Sequence, residues 1–192
     1  MSLTVLDPHS ALIVIDLQKG VAALPLAHPV TEVTGNAARL AEGFRAHKLP
    51  VILVRATGMA PGRTERSFSR SDAPRPPADA ADLVPELNQQ DSDYELVKQT
   101  WGAFMNPELD RLLRELAVTQ VVVIGIATSF GVESTARQAY EHGYHVTLAT
   151  DAMTDFSVEA HEGSVTRIFP SLGETGTTEE ILALLEQTSA TA

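Results

Sequence analysis

The chain has 192 residues, 44% of them hydrophobic and 20% charged, with a formal net charge of −11 from 14 basic against 25 acidic residues. This length suits a single domain, 1–192, with a core large enough to need neither metal nor disulfide, and the composition is globular rather than disordered. The charge repels nucleic acid and anionic bilayers, and the lack of any cysteine excludes disulfides, thiolate metal sites and thiol nucleophiles together.

The opening MSLTVLDPHSALIVID carries neither the basic flank nor the small-residue cleavage site of a signal peptide, and no apolar run in the sequence reaches membrane-spanning length. A cytoplasmic protein is expected. Residues 11–16, ALIVID, form a continuous apolar run closed by Asp16, the pattern of a strand buried on both faces. Val33, Ala37, Leu40, Ala41 and Phe44 then recur at helical spacing, with Glu32, Arg39, Glu42 and Arg45 on the other faces, which predicts a helix over 31–47. A second apolar strand occupies 51–54 and is closed by Arg55.

Residues 57–83 are rich in Pro, Ser, Ala and Arg and show no sustained period. They read as a long loop, of a length found in lids and binding loops as well as in plain surface segments. YELV before Lys98 reads as a short edge strand. Asn106 and Pro107 supply a cap and a favoured first helical residue, followed by a stripe of Leu109, Leu112, Leu113 and Leu116. VVVIGI at 121–126 is a third buried strand, after which Val132, Ala136, Ala139 and Tyr140 repeat the helical pattern. Residues 145–149 make a fourth strand, and Thr177 with Glu180 forms a capping box before Ile181, Leu182, Leu184 and Leu185. Strands alternating with helices predict βαβ units, hence an α/β, three-layer αβα Rossmann-like fold around a mostly parallel sheet. Ligands in such folds bind beyond the carboxyl ends of the strands. That rule selects Asp16, Arg55 and the turn at 127–131.

Asp16, at the end of an apolar strand, has the placement of an acid or base, or of a cap for the next loop or helix. Lys98 brings a cation to the same edge or stands solvated. Thr128, Ser129 and Gly131 close a buried strand and open a helix, an arrangement that makes either an anion site or a plain junction. The turn matches neither a phosphate loop nor a G-x-S-x-G elbow. The six histidines contain no H-E-x-x-H, so no metal site is expected, and His161, on a helical face with Val158, Val165 and Ile168, reads as a hydrogen-bonded structural histidine. Trp101 and Phe104 wall a pocket or belong to the core.

ALIVIDLQ, VKQTWGAF and VVVIGIATSFGVESTARQAYEHGYHVTLATDA, in this order and spacing, resemble the isochorismatase-like hydrolase family along most of the chain. The resemblance implies a sheet of about six strands and a homo-oligomer, dimer or tetramer. It maps the family's catalytic Asp and Lys onto Asp16 and Lys98, and its nucleophilic Cys onto Gly131. It also implies a cis peptide between Ile126 and Ala127, shaping an oxyanion pocket. Gln18, Trp101, Phe104, Ser129 and Phe130 become candidate substrate-binding residues, and Arg55, Arg63 or Arg66 candidate partners for substrate carboxylates.

Without a thiol the acyl-enzyme route of most relatives cannot run, whereas isochorismatases similarly carry glycine at this position and cleave a vinyl ether with the aspartate as general acid. The resemblance therefore implies a metal- and cofactor-free hydrolase acting on a small, carboxylated molecule such as isochorismate, through Asp16 and water. Two alternatives stand beside it: a catalytically silent small-molecule-binding member, and an amide hydrolase in which Asp16 activates water.

Overall fold

Strand β1 (Ser10–Ile15) is buried along its whole length, as its unbroken apolar run requires. It pairs in parallel with β2 (Val51–Ala56) on one side and β4 (Gln120–Ile126) on the other. β3 (Tyr94–Lys98) adds beyond β2, and β5 (His145–Thr154) and β6 (Glu174–Gly176) beyond β4, so that the order is β3-β2-β1-β4-β5-β6 with every neighbouring pair parallel. This computed structural model describes residues 3–65 and 76–189.

The helices, in chain order, are α1 (Lys19–Ala22), α2 (Val30–Ala46), α3 (Pro107–Glu115), α4 (Glu133–Glu141), α5 (Val158–Gly163) and α6 (Thr178–Ser189). Val33, Ala37, Leu40, Ala41 and Phe44 of α2 join Ile181 and Leu185 of α6 over Leu12, Val14 and Leu53 on one face of the sheet. On the other, Leu109 and Leu113 of α3 and Ala136 and Ala139 of α4 cover Ile13, Ile15, Ile52 and Val54. The three-layer αβα sandwich is therefore the expected one, with all six strands parallel rather than most.

Local signals act as their chemistry dictates. Asn106 accepts a hydrogen bond from the Glu108 N–H at the start of α3. Thr177 and Glu180 exchange backbone-to-side-chain bonds as a capping box, the Thr177 N–H donating to Glu180 at 2.7 Å and the Glu180 N–H to Thr177 at 3.3 Å. Leu112 and Leu116 are only partly buried. Tyr140 departs from its stripe and is 55% exposed.

Two strands differ from expectation. β5 runs ten residues instead of ending at 149, with a register shift against β4 that accommodates the polar Thr150 and Asp151. β6 is three residues long and has no apolar run to announce it. In the 57–83 segment, residues 76–83 fold back on β1: Gln18 bridges to Leu83, and Lys19 pairs with Asp79 and Asp82 at 3.1 and 3.2 Å. Among the described residues no helix is long and apolar enough to cross a membrane.

Candidate active site

β1 and β4 are neighbours in the sheet, yet their connections leave in opposite directions, toward β2 and toward β5. A crevice opens at such a reversal. Gly125, at φ 124°, lets the two strands approach so closely that a Cβ there would collide with the Ile15 carbonyl. Asp16 and the turn after β4 are thereby brought side by side.

Asp16 leaves β1 in the left-handed region at φ 51°, a conformation that aspartate tolerates better than most residues. Its N–H still donates to the Val54 carbonyl at 3.0 Å, and its own carbonyl accepts from the Gln18 N–H at 2.8 Å. Lys98, last residue of β3, reaches across the end of β2 and donates from Nζ to Asp16 Oδ2 at 2.7 Å and to the Thr100 carbonyl at 2.9 Å. The pair is withdrawn from water, with side-chain exposures of 2% for Lys98 and 12% for Asp16. Burial pushes the Asp16 carboxyl above its ordinary value, outweighing the charge and hydrogen bond of Lys98, which pull it down. Asp16 Oδ1 is buried with no hydrogen-bond partner. The nearby Ala56 N–H lowers the Asp16 pKa slightly but donates to Gln18 Oε1 at 2.8 Å.

The turn itself comes after a cis Ile126–Ala127 peptide, as the resemblance implies. It winds as a π-helical turn, Thr128–Val132, before α4 begins. Gly131 is buried beside the acid: a Cβ there would stand 3.1 Å from Asp16 Oδ2 and 2.8 Å from Ile15 Cγ2. Asp16, Lys98 and Gly131, 115 positions apart at the extremes, thus meet at one point of the sheet edge.

The N–H groups of the turn are largely engaged from within. Ser129 donates to Asp155 Oδ2 at 2.6 Å, and Phe130 and Val132 donate to the Ala127 carbonyl at 3.1 and 3.2 Å. Asp155, 1% exposed, also accepts from the Phe156 N–H at 2.7 Å. Behind the turn, Thr128 Oγ1 shares a 2.9 Å hydrogen bond with His161 Nδ1, and His161 meets His28 edge-to-face at 4.7 Å. Burial, and then the proximity of His28, hold the His161 pKa below its ordinary value. His161 is buried and bonded, as its helical face suggested. Asp155 and His28 carry no signal of this role in the sequence. Asp155 closes β5 just as Asp16 closes β1, a parallel hidden by the polar residues at 150 and 151.

Other candidates lie elsewhere. Gln18 uses its whole amide to tie β1 to β2 and to the returning segment, donating to the Ala56 and Ala81 carbonyls at 3.0 and 3.1 Å and accepting from the Ala56 N–H. Arg55 sits on the opposite face of β2 from Val54, bound to Glu95 and, at 3.1 Å, to the Ala81 carbonyl. Arg63 is exposed on the segment after β2, and Arg66 lies outside the described residues. Phe104 is 8% exposed, packs in the core with Leu109, Leu113 and Ala136, and stacks on the exposed His142 at 5.0 Å. Trp101, by contrast, is half exposed and meets Phe130 edge-to-face at 4.9 Å.

Among the described residues no group of three or more His, Asp or Glu is arranged to hold a metal ion. Among the described residues, clefts of about 300, 340, 390 and 650 Å³ indent the surface without including Asp16 in their lining.

A family model described as an isochorismatase domain matches residues 10–180. The uncharacterized isochorismatase family protein YwoC of Bacillus subtilis (strain 168) is 41% identical over 179 residues, covering 90% of this chain and 92% of that protein. YecD of Escherichia coli O157:H7, likewise an uncharacterized isochorismatase family protein, is 40% identical over 187 residues, 92% of this chain and 96% of its own. The structure of an isochorismatase family protein from Burkholderia thailandensis superposes with a TM-score of 0.89 at 38% identity, over 96% of this chain and 100% of that one.

Proposed function

Because the chain belongs to the isochorismatase family, within the cysteine hydrolase superfamily, we propose that it is a hydrolase in which Asp16 moves the proton and water is the nucleophile. The observation that carries this reading is Asp16 Oδ1, a buried carboxyl oxygen with no partner, beside a glycine in a chain without cysteine. A carboxyl group raised by burial is suited to hold a proton for delivery.

The chemistry is that of an enol ether. The Asp16 proton passes to the terminal vinyl carbon and leaves an oxocarbenium ion on the ether oxygen. Water adds to the cationic carbon and returns a proton to Asp16, and the resulting hemiketal or hemiacetal collapses to a carbonyl compound and an alcohol. No bond to the protein forms, so nothing is required of position 131 except room. Lys98 holds the Asp16 carboxyl through Oδ2 and leaves Oδ1 for the transfer.

The test is hydrolysis of isochorismate and of phenyl vinyl ether, followed through pyruvate and acetaldehyde release, by wild type and by Asp16→Asn. Loss of about 10²-fold or more in the variant is expected, as for removal of a general acid. Equal rates in the two proteins would sink the mechanism. If neither ether is turned over but small molecules bind, the chain is a non-catalytic binding member.

A further inference from the structure

A lysine ammonium is a point charge on a flexible stem, so the place of Lys98 is set by its acceptors. Nζ donates to Asp16 Oδ2 at 2.7 Å and to the Thr100 carbonyl at 2.9 Å. Thr100 is tied to the residues just after it, its Oγ1 donating to the Gly102 carbonyl at 3.0 Å. The next residue, Ala103, is 1% exposed and donates its N–H to Thr135 Oγ1 at 3.1 Å.

Thr135 lies near the start of α4 and is fully buried. Its Oγ1 donates to the Gly131 carbonyl, four residues back, at 2.7 Å. Alone, that bond is an ordinary one for a helical threonine. The bond from Ala103 is not local: it spans 32 positions and joins the segment after β3 to the turn after β4. One hydroxyl thus donates on the turn side and accepts on the Lys98 side, using both of its capacities. Gly131 itself lies against the acid, its Cβ position 3.1 Å from Asp16 Oδ2, so the contacts return to where they began. Asp16, Lys98, Thr100, Ala103, Thr135 and Gly131 form a closed circuit around the acid.

Resting on the reading that Asp16 moves the proton, we propose that Thr135 is a positioning residue for it. By tying segment 100–103 to the turn, the Thr135 hydroxyl keeps the Thr100 carbonyl against Lys98, holds the ammonium on Oδ2 and so leaves Oδ1 bare.

Thr135→Val keeps the shape of the side chain and removes both bonds; Thr135→Ala removes them in a site left less crowded, and Thr135→Ser keeps the hydroxyl. The readout is the NMR titration of the Asp16 carboxyl carbon, assigned by its absence from Asp16→Asn. The charge and hydrogen bond of Lys98 lower the Asp16 pKa, so a loosened Lys98 moves this titration to higher pH in Thr135→Val and Thr135→Ala. Thr135→Ser returns it to the wild-type position. Gln138→Ala frees the same segment at Phe104, whose N–H Gln138 holds at 3.2 Å, without touching Gly131, and leaves the titration in place whatever it costs in stability. A titration that stays put or moves to lower pH in Thr135→Val and Thr135→Ala, that Thr135→Ser fails to restore, or that moves as far in Gln138→Ala would overturn the proposal. Because the carboxyl group is read without turnover, failure of the hydrolytic mechanism, seen as equal rates in wild type and Asp16→Asn, is a separate result.

Discussion

Asp16 and Lys98 hold each other in a place that water barely reaches, and in the proposed mechanism the balance between them sets the pH at which the acid works. Burial raises the Asp16 pKa and Lys98 lowers it. A general acid acts in its protonated form, so activity is full below the folded pKa and declines as pH rises through it. In Lys98→Met the opposing pull is gone, and the descending limb of kcat/KM should move to higher pH. Lys98→Arg keeps the charge and should leave the limb near its wild-type position; a limb that stays put in Lys98→Met would show that Lys98 does not tune the acid. The same raised pKa means that the folded chain binds this proton more tightly than the unfolded one. Asp16's contribution to stability is thus whole below the unfolded value of about 3.9 and fades as pH rises through the folded one. Asp16 was legible because a carboxylate closing an apolar strand is conspicuous. Its ion pair was only half legible: the short strand before Lys98 offered a cation at the same edge or a solvated one, and the resemblance chose between them. Arg55 shows where location misleads: side chains alternate along a strand, and Leu53 and Arg55 share the face opposite Val54.

Among elements, Gln18 ties the end of β1 to both β2 and the returning segment. Gln18 is 2% exposed and bridges Ala56 and Ala81 with every polar atom it has. Gln18→Ala should cost about 2–3 kcal/mol, since it strands partly buried backbone groups. Urea unfolding measures this cost, and a change within ~0.5 kcal/mol would show that water replaces the amide. The strand-to-helix turn is held from behind in a similar way, through Asp155 on Ser129 and His161 on Thr128. The sequence showed the strand, the turn and the helix, because periodicity changes from a continuous apolar run to helical spacing there. It did not show what holds the turn, because those partners come from β5 and α5, and β5 continues through polar residues that an apolar pattern does not track. Similarly, β6 is too short to carry a pattern of its own.

For the whole molecule, the reversal in strand order between β1 and β4 determines where everything else meets. Alternating strands and helices announced the layers, but not this order, which depends on which parallel neighbours each crossover selects. Once the order is known, Asp16, Lys98 and the turn must share an edge, and residues that belong to the helix layers, such as Phe104, cannot. The same close approach has an evolutionary consequence at Gly131. A Cβ there would stand only 2.8 Å from Ile15 Cγ2, a branched methyl in the core, so a single substitution does not regain a thiol freely. Gly131→Cys should lose about 1–3 kcal/mol by overpacking. Combined with Ile15→Ala it should lose less than the sum of the two single changes, by ~1 kcal/mol or more in thermal or urea unfolding; strict additivity would show that the turn simply shifts aside. A chain packed this way is separated from thiol chemistry by its core, and a mutational path to a nucleophile at 131 leads first through Ile15.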